Sequence, residues 1–176
     1  MAMTFLPREE MLAAFEALGA MLPREVTLIV GGGAAMVLAH GFAVRTADVD
    51  GQPRGMSVEE LAPFVRRVAE ARGLPSDWLN PYFSTFAYVL PADYGTRLVE
   101  VFRGRRLVVQ ALGAEDLLVM KCFAGRQKDV AHARVLLKRV REPDVVDRRI
   151  DELVERRVPR AREAADFLDD LRAEQP

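Results

Sequence analysis

The chain has one cysteine, Cys122, and two histidines, His40 and His132, in 176 residues. A lone thiol excludes an intramolecular disulfide and a thiolate zinc cluster, and it favours a reducing compartment. With so few histidines, neither a Cys-His nor a Ser-His-Asp arrangement can be assembled. Charge of one sign is also lacking: the formal net charge is −1, which argues against a generally basic surface that coats nucleic acid but leaves a local basic groove open. No run approaches the roughly 20 apolar residues that a membrane helix needs. The opening "MAMTFLPREEML" contains no apolar core of signal-peptide length, so a cytoplasmic location is expected. Internal repeats and low-complexity segments are absent as well.

What is present is the composition of an ordinary globular protein, half hydrophobic with 29% charged residues. Pro7 suits the first turn of a helix whose apolar positions are Met11, Leu12, Phe15 and Leu18. "VTLIV" (26–30) reads as a buried strand, Gly31–Gly33 as a turn, and Ala34–Ala39 as a short helix stopped by Gly41. "AVRTADVD" (43–50) reads as the next strand, ending abruptly at Gly51-Gln52-Pro53. Ser57 and Glu60 form a capping box for a helix that Gly73 ends. "LPSDWLNP" (74–81) carries turn residues around the single tryptophan. Residues 96–102 and 106–112 alternate as a hairpin closing at Gly104. From Ala114 to about Arg141 the pattern is that of one helix, and Pro143 and Pro159 punctuate a charged helical tail. The expected class is α+β: a core over 1–112, with a small mixed sheet flanked by helices, and a helical region over 113–176 packed against it.

The residues that invite a chemical reading lie in "IVGGGAAMVLAHGFAVRTADVDG" (29–51). On a strand, Asp48 and Asp50 project from one face, with Cα atoms roughly 7 Å apart, where they suit a shared hard cation such as Mg²⁺ or Mn²⁺. A glycine turn between strand and helix lets backbone N–H groups approach phosphates near the positive end of the helix dipole. No Gly-Lys-Ser/Thr follows, so this is not a P-loop, and no Gly-x-Gly-x-x-Gly is completed. Taken singly, a solvated strand end and a tight turn explain each feature as well.

Together, strand, Gly-Gly, helix and Arg45-Thr46-x-Asp48-x-Asp50 resemble the nucleotidyltransferases of the polymerase-β type. "GGGAA…VRTADVD" is most similar to their abortive-infection or type IV toxin branch. "EDLLVMKCFAGRQKDVAHARVLL" (115–137) resembles that branch's helical motif, with His132 where a second aspartate is frequent. "LPSDWLN" is similar to a segment of an uncharacterised bacterial family of predicted nucleotidyltransferases. The resemblance implies a Mg²⁺-dependent enzyme that moves a nucleoside monophosphate from an NTP to a hydroxyl. In it, Asp48 and Asp50 hold metal, and Glu100 completes the metal site or acts as base. Gly32 and Gly33 cradle the triphosphate. Arg45 and Lys121 neutralise phosphate charge, Thr46 supports by hydrogen bonding, and Asp129 orients Lys121. It also implies the toxin of a toxin–antitoxin pair, with an antitoxin-like protein partner and an RNA or protein acceptor.

The residues alone keep blander readings open. Lys121 reaching solvent, Asp129 paired with Arg126 or Lys128, and Glu100 as an edge-strand charge against aggregation all fit. A catalytically inert nucleotidyltransferase-like binding module is the rival reading. His40 reads as a helix-end residue and Cys122 as core.

Overall fold

The computed structural model describes residues 5–174. The chain forms two compact units: one takes the chain through Thr85 together with Leu98–Leu112, the other takes Phe86–Arg97 together with everything from Gly113 on. Each is α-helical in part, and the first carries the whole sheet, giving the α+β class.

In the first unit α1 (Arg8–Met21) precedes β1 (Val26–Val30), α2 (Gly32–His40), β2 (Val49–Arg54), α3 (Val58–Arg72) and β3 (Leu79–Asn80), with the single turn α4 (Phe83–Phe86) at the end of this stretch; β4 (Val99–Arg103) and β5 (Leu107–Ala111) close it. The sheet order is β3-β2-β1-β5-β4. β1 runs antiparallel to β2 and parallel to β5, and β4 returns antiparallel on β5 as the hairpin. β1 is central and reads as an unbroken β-branched and leucine run because it is buried on both faces. One face is sealed by aromatic packing: Phe15 of α1 lies 6.1 Å from the ring of Trp78 and 5.8 Å from that of Phe102. Trp78 is fully buried, and its indole N–H donates to Val65 O at 3.1 Å, so its one polar atom is satisfied. α2 packs on strands β2, β4 and β5.

Local signals account for the helix ends. Ser57 Oγ accepts from Glu60 N–H at 3.1 Å and Glu60 returns the bond to Ser57 N–H at 2.8 Å, a capping box that contributes about 1 kcal/mol. Gly41 and Gly73 take the left-handed conformation that stops α2 and α3.

Two sequence expectations fail for physical reasons. The strand expected over 43–50 starts only at Val49 and continues through Gly51, Gln52 and Pro53 to Arg54. Proline is tolerated because β3 pairs with β2 only at Val49 and Asp50, so Pro53 sits on an open edge where no N–H is required. The single helix expected over 114–141 is two helices, α5 (Ala114–Ala124) and α6 (Gln127–Leu137), broken where Gly125 adopts φ +56°.

The second unit is a helical cluster in which α5 packs against α6, α7 (Pro143–Glu155) and α8 (Ala161–Ala173). α5 is buried almost all round, which is why its apolar pattern shows no single stripe. Its buried charges are each answered. Asp116 accepts from Arg97 at 2.8 and 3.0 Å, and Glu115 accepts the backbone N–H groups of Arg141 and Glu142 at 2.8 and 3.2 Å. Of the apolar side chains of α7 and α8, Ile150, Leu153, Leu168 and Leu171 are buried. No helix among the described residues is long and apolar enough to cross a membrane.

Candidate functional site

The end of β1 and the start of β2 bring four short segments together. Gly31 N–H donates to Asp50 O at 2.9 Å, which fastens the glycine turn to the strand that carries the aspartates. Gly32 then opens α2 with φ +58°, and a Cβ placed on it would lie 2.5 Å from Asp50 Oδ2. A side chain is excluded there twice, by the left-handed backbone and by the carboxylate. Gly33 is similarly close to Thr46, whose Cβ and Oγ1 would both stand 3.0 Å from an added methyl. Glycine is therefore required at position 32, while at 33 an added methyl would be tight against Thr46.

Asp48 and Asp50 flank Val49, which is fully buried, while both aspartates remain partly exposed. Asp48 stands in the bend just before β2, and Asp50 is the second residue of the strand. Thr46 Oγ1 donates to Asp48 O at 2.9 Å and sets the turn into β2. Asn80 faces Asp50 in the β2–β3 register, and its amide N–H donates to Asp48 Oδ2 at 2.8 Å. Its own Oδ1 accepts from Tyr82 N–H at 3.0 Å, so the amide is held at both ends. Sequence reasoning missed Asn80, taking 74–81 as turn residues; the signal was an amide two residues after a buried tryptophan and just before Pro81.

Other expected site residues have partners of their own. The Arg45 guanidinium lies over the Phe5 ring, 4.9 Å from its centroid. Glu100 is on β4, and β1 and β5 intervene between its strand and that of Asp50. Three strand spacings put it about 14 Å from the aspartates across the sheet. It is exposed and paired with Arg103 at 2.5 and 2.9 Å, and that guanidinium holds its carboxyl below the usual range. The expectation that Glu100 sits beside the aspartate pair is thus not met by the register: the hairpin's own order places β5 next to β1 and β4 outside it. His132 has a buried Nδ1 without a hydrogen-bond partner, and burial, with Lys121 second, pushes its pKa down.

Lys121 and Asp129 belong to the second unit and meet across the helix break, Nζ to Oδ1 at 2.6 Å. Arg126 Nε donates to the other carboxylate oxygen at 2.7 Å, and Arg126 N–H to the same oxygen at 3.3 Å. Asp129 is wholly buried. Burial raises its pKa, yet the hydrogen bonds from Arg126 and Lys121 outweigh this and hold it below the usual carboxylate range. Cys122, next to Lys121, is core: burial pushes its thiol up to about 12, which removes it as a nucleophile.

The donor set of the first unit is two carboxylates and a supporting amide. Among the described residues no group of three His, Cys, Asp or Glu side chains is arranged to hold a metal. Two carboxylates beside a glycine turn still fit Mg²⁺, which is usually bound through one or two carboxylates plus substrate phosphates. Mixed sheet, glycine turn and Asp-x-Asp define a nucleotidyltransferase-like domain. The chain belongs to the family described as "Nucleotidyltransferase of unknown function (DUF6036)", whose model matches residues 9–172. Neither the curated proteins nor the solved structures compared include a match.

Proposed function

We propose that the protein is a Mg²⁺-dependent nucleotidyltransferase that transfers a nucleoside monophosphate from an NTP to a hydroxyl acceptor. The observation that supports this reading best is the closeness of the Asp50 carboxylate to the glycine turn, where a Cβ added to Gly32 would lie 2.5 Å from Asp50 Oδ2. Asp48 and Asp50 would hold Mg²⁺, with Asn80 fixing the orientation of Asp48. The ion would supply charge stabilisation on the phosphoryl oxygens. The backbone of Gly32 and Gly33, at the N-terminus of α2, would bind the triphosphate, where N–H groups and the helix dipole favour negative charge. Positioning and electrostatics of this kind are what transfer at phosphorus chiefly requires. The family match supports the nucleotidyltransferase class. A toxin role with an antitoxin-like partner, and an RNA or protein acceptor, rest on the sequence resemblance.

A thermal-shift panel tests the binding half of this reading. Each of the four NTPs is added with and without Mg²⁺ to the wild type and to Asp48→Ala/Asp50→Ala. A ligand at 100 times its Kd adds about 2.7 kcal/mol, or roughly 5–11 °C for a chain of this size. The expected result is a Mg²⁺-dependent rise that the double variant lacks. If no NTP shifts the wild type at millimolar concentration, the rival reading of a catalytically inert module replaces this one.

A further inference from the structure

The turn between α7 and α8, "ERRVPRAREA", breaks three local rules, and each break places an arginine. α7 ends in a Schellman arrangement: Val158 N–H donates to Leu153 O at 3.0 Å and Arg157 N–H to Val154 O at 2.9 Å. The left-handed position of that motif normally belongs to glycine, and here Arg157 occupies it with φ +54°. Arg160 precedes α8 with φ +68° and offers no side-chain cap, where Ser, Thr, Asp or Asn in extended conformation is favoured. Arg162 puts a positive charge in the first turn of α8, against the helix dipole. Natural sequences break such rules mostly where function requires it.

The breaks have one product. Arg157, Arg160 and Arg162 line a single concavity of about 380 Å³, with Val154 and Val158 as its apolar wall and Glu163 as its only lining carboxylate. Arg160 also reaches Ala124 O at 3.4 Å. Arg157 and Arg162 are exposed and, among the described residues, make no ion pair. Arg156, alongside, is held only loosely by Glu152 at 3.8 Å.

We infer that this concavity binds the phosphodiester backbone of a nucleic-acid strand, with Arg157 and Arg162 as its phosphate ligands. Guanidinium groups pair bidentately with phosphate oxygens. Like charges crowded around a hollow, at positions the fold would fill otherwise, are relieved by a polyanion. The inference is independent of the transfer reading and stands or falls by itself.

The test uses the full chain and a 20-nucleotide fluorescein-labelled RNA of mixed sequence, followed by anisotropy from 50 to 200 mM KCl. Each phosphate neutralised on a single strand contributes a slope of about −0.7 in log K against log salt. Arg157→Gly/Arg162→Ala is expected to flatten the slope by about 1.4 and to weaken binding on the order of tenfold at 100 mM. Arg157→Gly alone relieves the left-handed strain, so its Tm should hold or rise by up to roughly 4 °C while its RNA binding falls. That opposition of stability and binding is not expected of an arginine with a purely structural role. Unchanged affinity and slope in the double variant would overturn the inference, as would polyglutamate binding as tightly as RNA. Complete displacement by inorganic triphosphate at equal phosphate concentration would reassign the hollow to free polyphosphate and overturn the strand.

Discussion

Asp129 and Lys121 should respond to substitution unequally, and the asymmetry follows from who remains behind. Asp129→Ala deletes the carboxylate that accepts Lys121 Nζ at 2.6 Å, and it leaves an ammonium group that is 7% exposed without its partner. Breaking a buried pair from that side costs about 3–5 kcal/mol. For a chain of this size the fall in Tm is roughly 6–20 °C. Lys121→Met instead leaves Asp129 still bonded to Arg126 Nε at 2.7 Å and to Arg126 N–H. It should cost only about 1–2 kcal/mol, the loss of one charged hydrogen bond partly offset by an apolar replacement. Lys121→Met/Asp129→Ala removes both charges and should recover most of the Asp129→Ala loss, giving a coupling of at least about 2 kcal/mol in a double-mutant cycle. Denaturant melts followed by the fluorescence of the single, fully buried Trp78 supply the measurement. A pH arm checks the sign. Because the folded pKa of Asp129 is depressed, the stability it carries is complete above the unfolded value near 3.9 and is lost as pH falls through the folded value. The wild type should therefore lose stability more steeply below pH 4 than the double variant. Equal costs for the two single substitutions, or simple additivity, would refute the reasoning.

Gly32→Ala should cost about 2–3 kcal/mol, because φ is +58° and the new methyl would meet Asp50 Oδ2 at 2.5 Å. It should also abolish any NTP-dependent rise in Tm. Asn80→Ala removes two side-chain hydrogen bonds, one partly buried to Asp48 and one exposed from Tyr82 N–H, and should cost only about 1–2 kcal/mol in a urea melt. Its effect on Mg²⁺-dependent nucleotide binding should be larger, on the order of 10–100-fold, since it orients a metal-binding carboxylate. The Cys122 thiol, buried with its pKa raised to about 12, should resist a thiol reagent at pH 8 until the chain unfolds.

Local chemistry was the legible part of this sequence. Ser57 with Glu60, and the glycines at 41 and 73, act within one helical turn, so a short window of residues contains their whole cause. The hairpin around Gly104 and the burial of "VTLIV" were legible for the same reason. The break in the helix expected from Ala114 to about Arg141 was not legible because apolar periodicity continues on both sides of Gly125; only its left-handed backbone reveals the break, and that break lets Lys121 and Asp129 meet. Pro53 looked like a strand end because the openness of its edge depends on how short β3 is, a property of a segment some 26 residues away. Of the candidate site, the structure sets Gly32 against Asp50 and Gly33 against Thr46, whose hydroxyl bonds to Asp48 O. Glu100 is not beside them, since strand order within the sheet is a long-range fact that "LVEVF" does not encode. Asn80 was invisible for the matching reason: its role exists only through pairing with Asp50.

The central claim is nucleotidyl transfer at Asp48 and Asp50, and the position of the label that moves tests it most directly. The protein is incubated with Mg²⁺ and total RNA or desalted cell protein, with NTPs labelled at either the α or the γ phosphate. The account predicts α label in the acceptor, release of γ label as pyrophosphate, and loss of both in Asp48→Asn/Asp50→Asn. Transfer of γ label to the acceptor, or α incorporation unchanged in that variant, would contradict it.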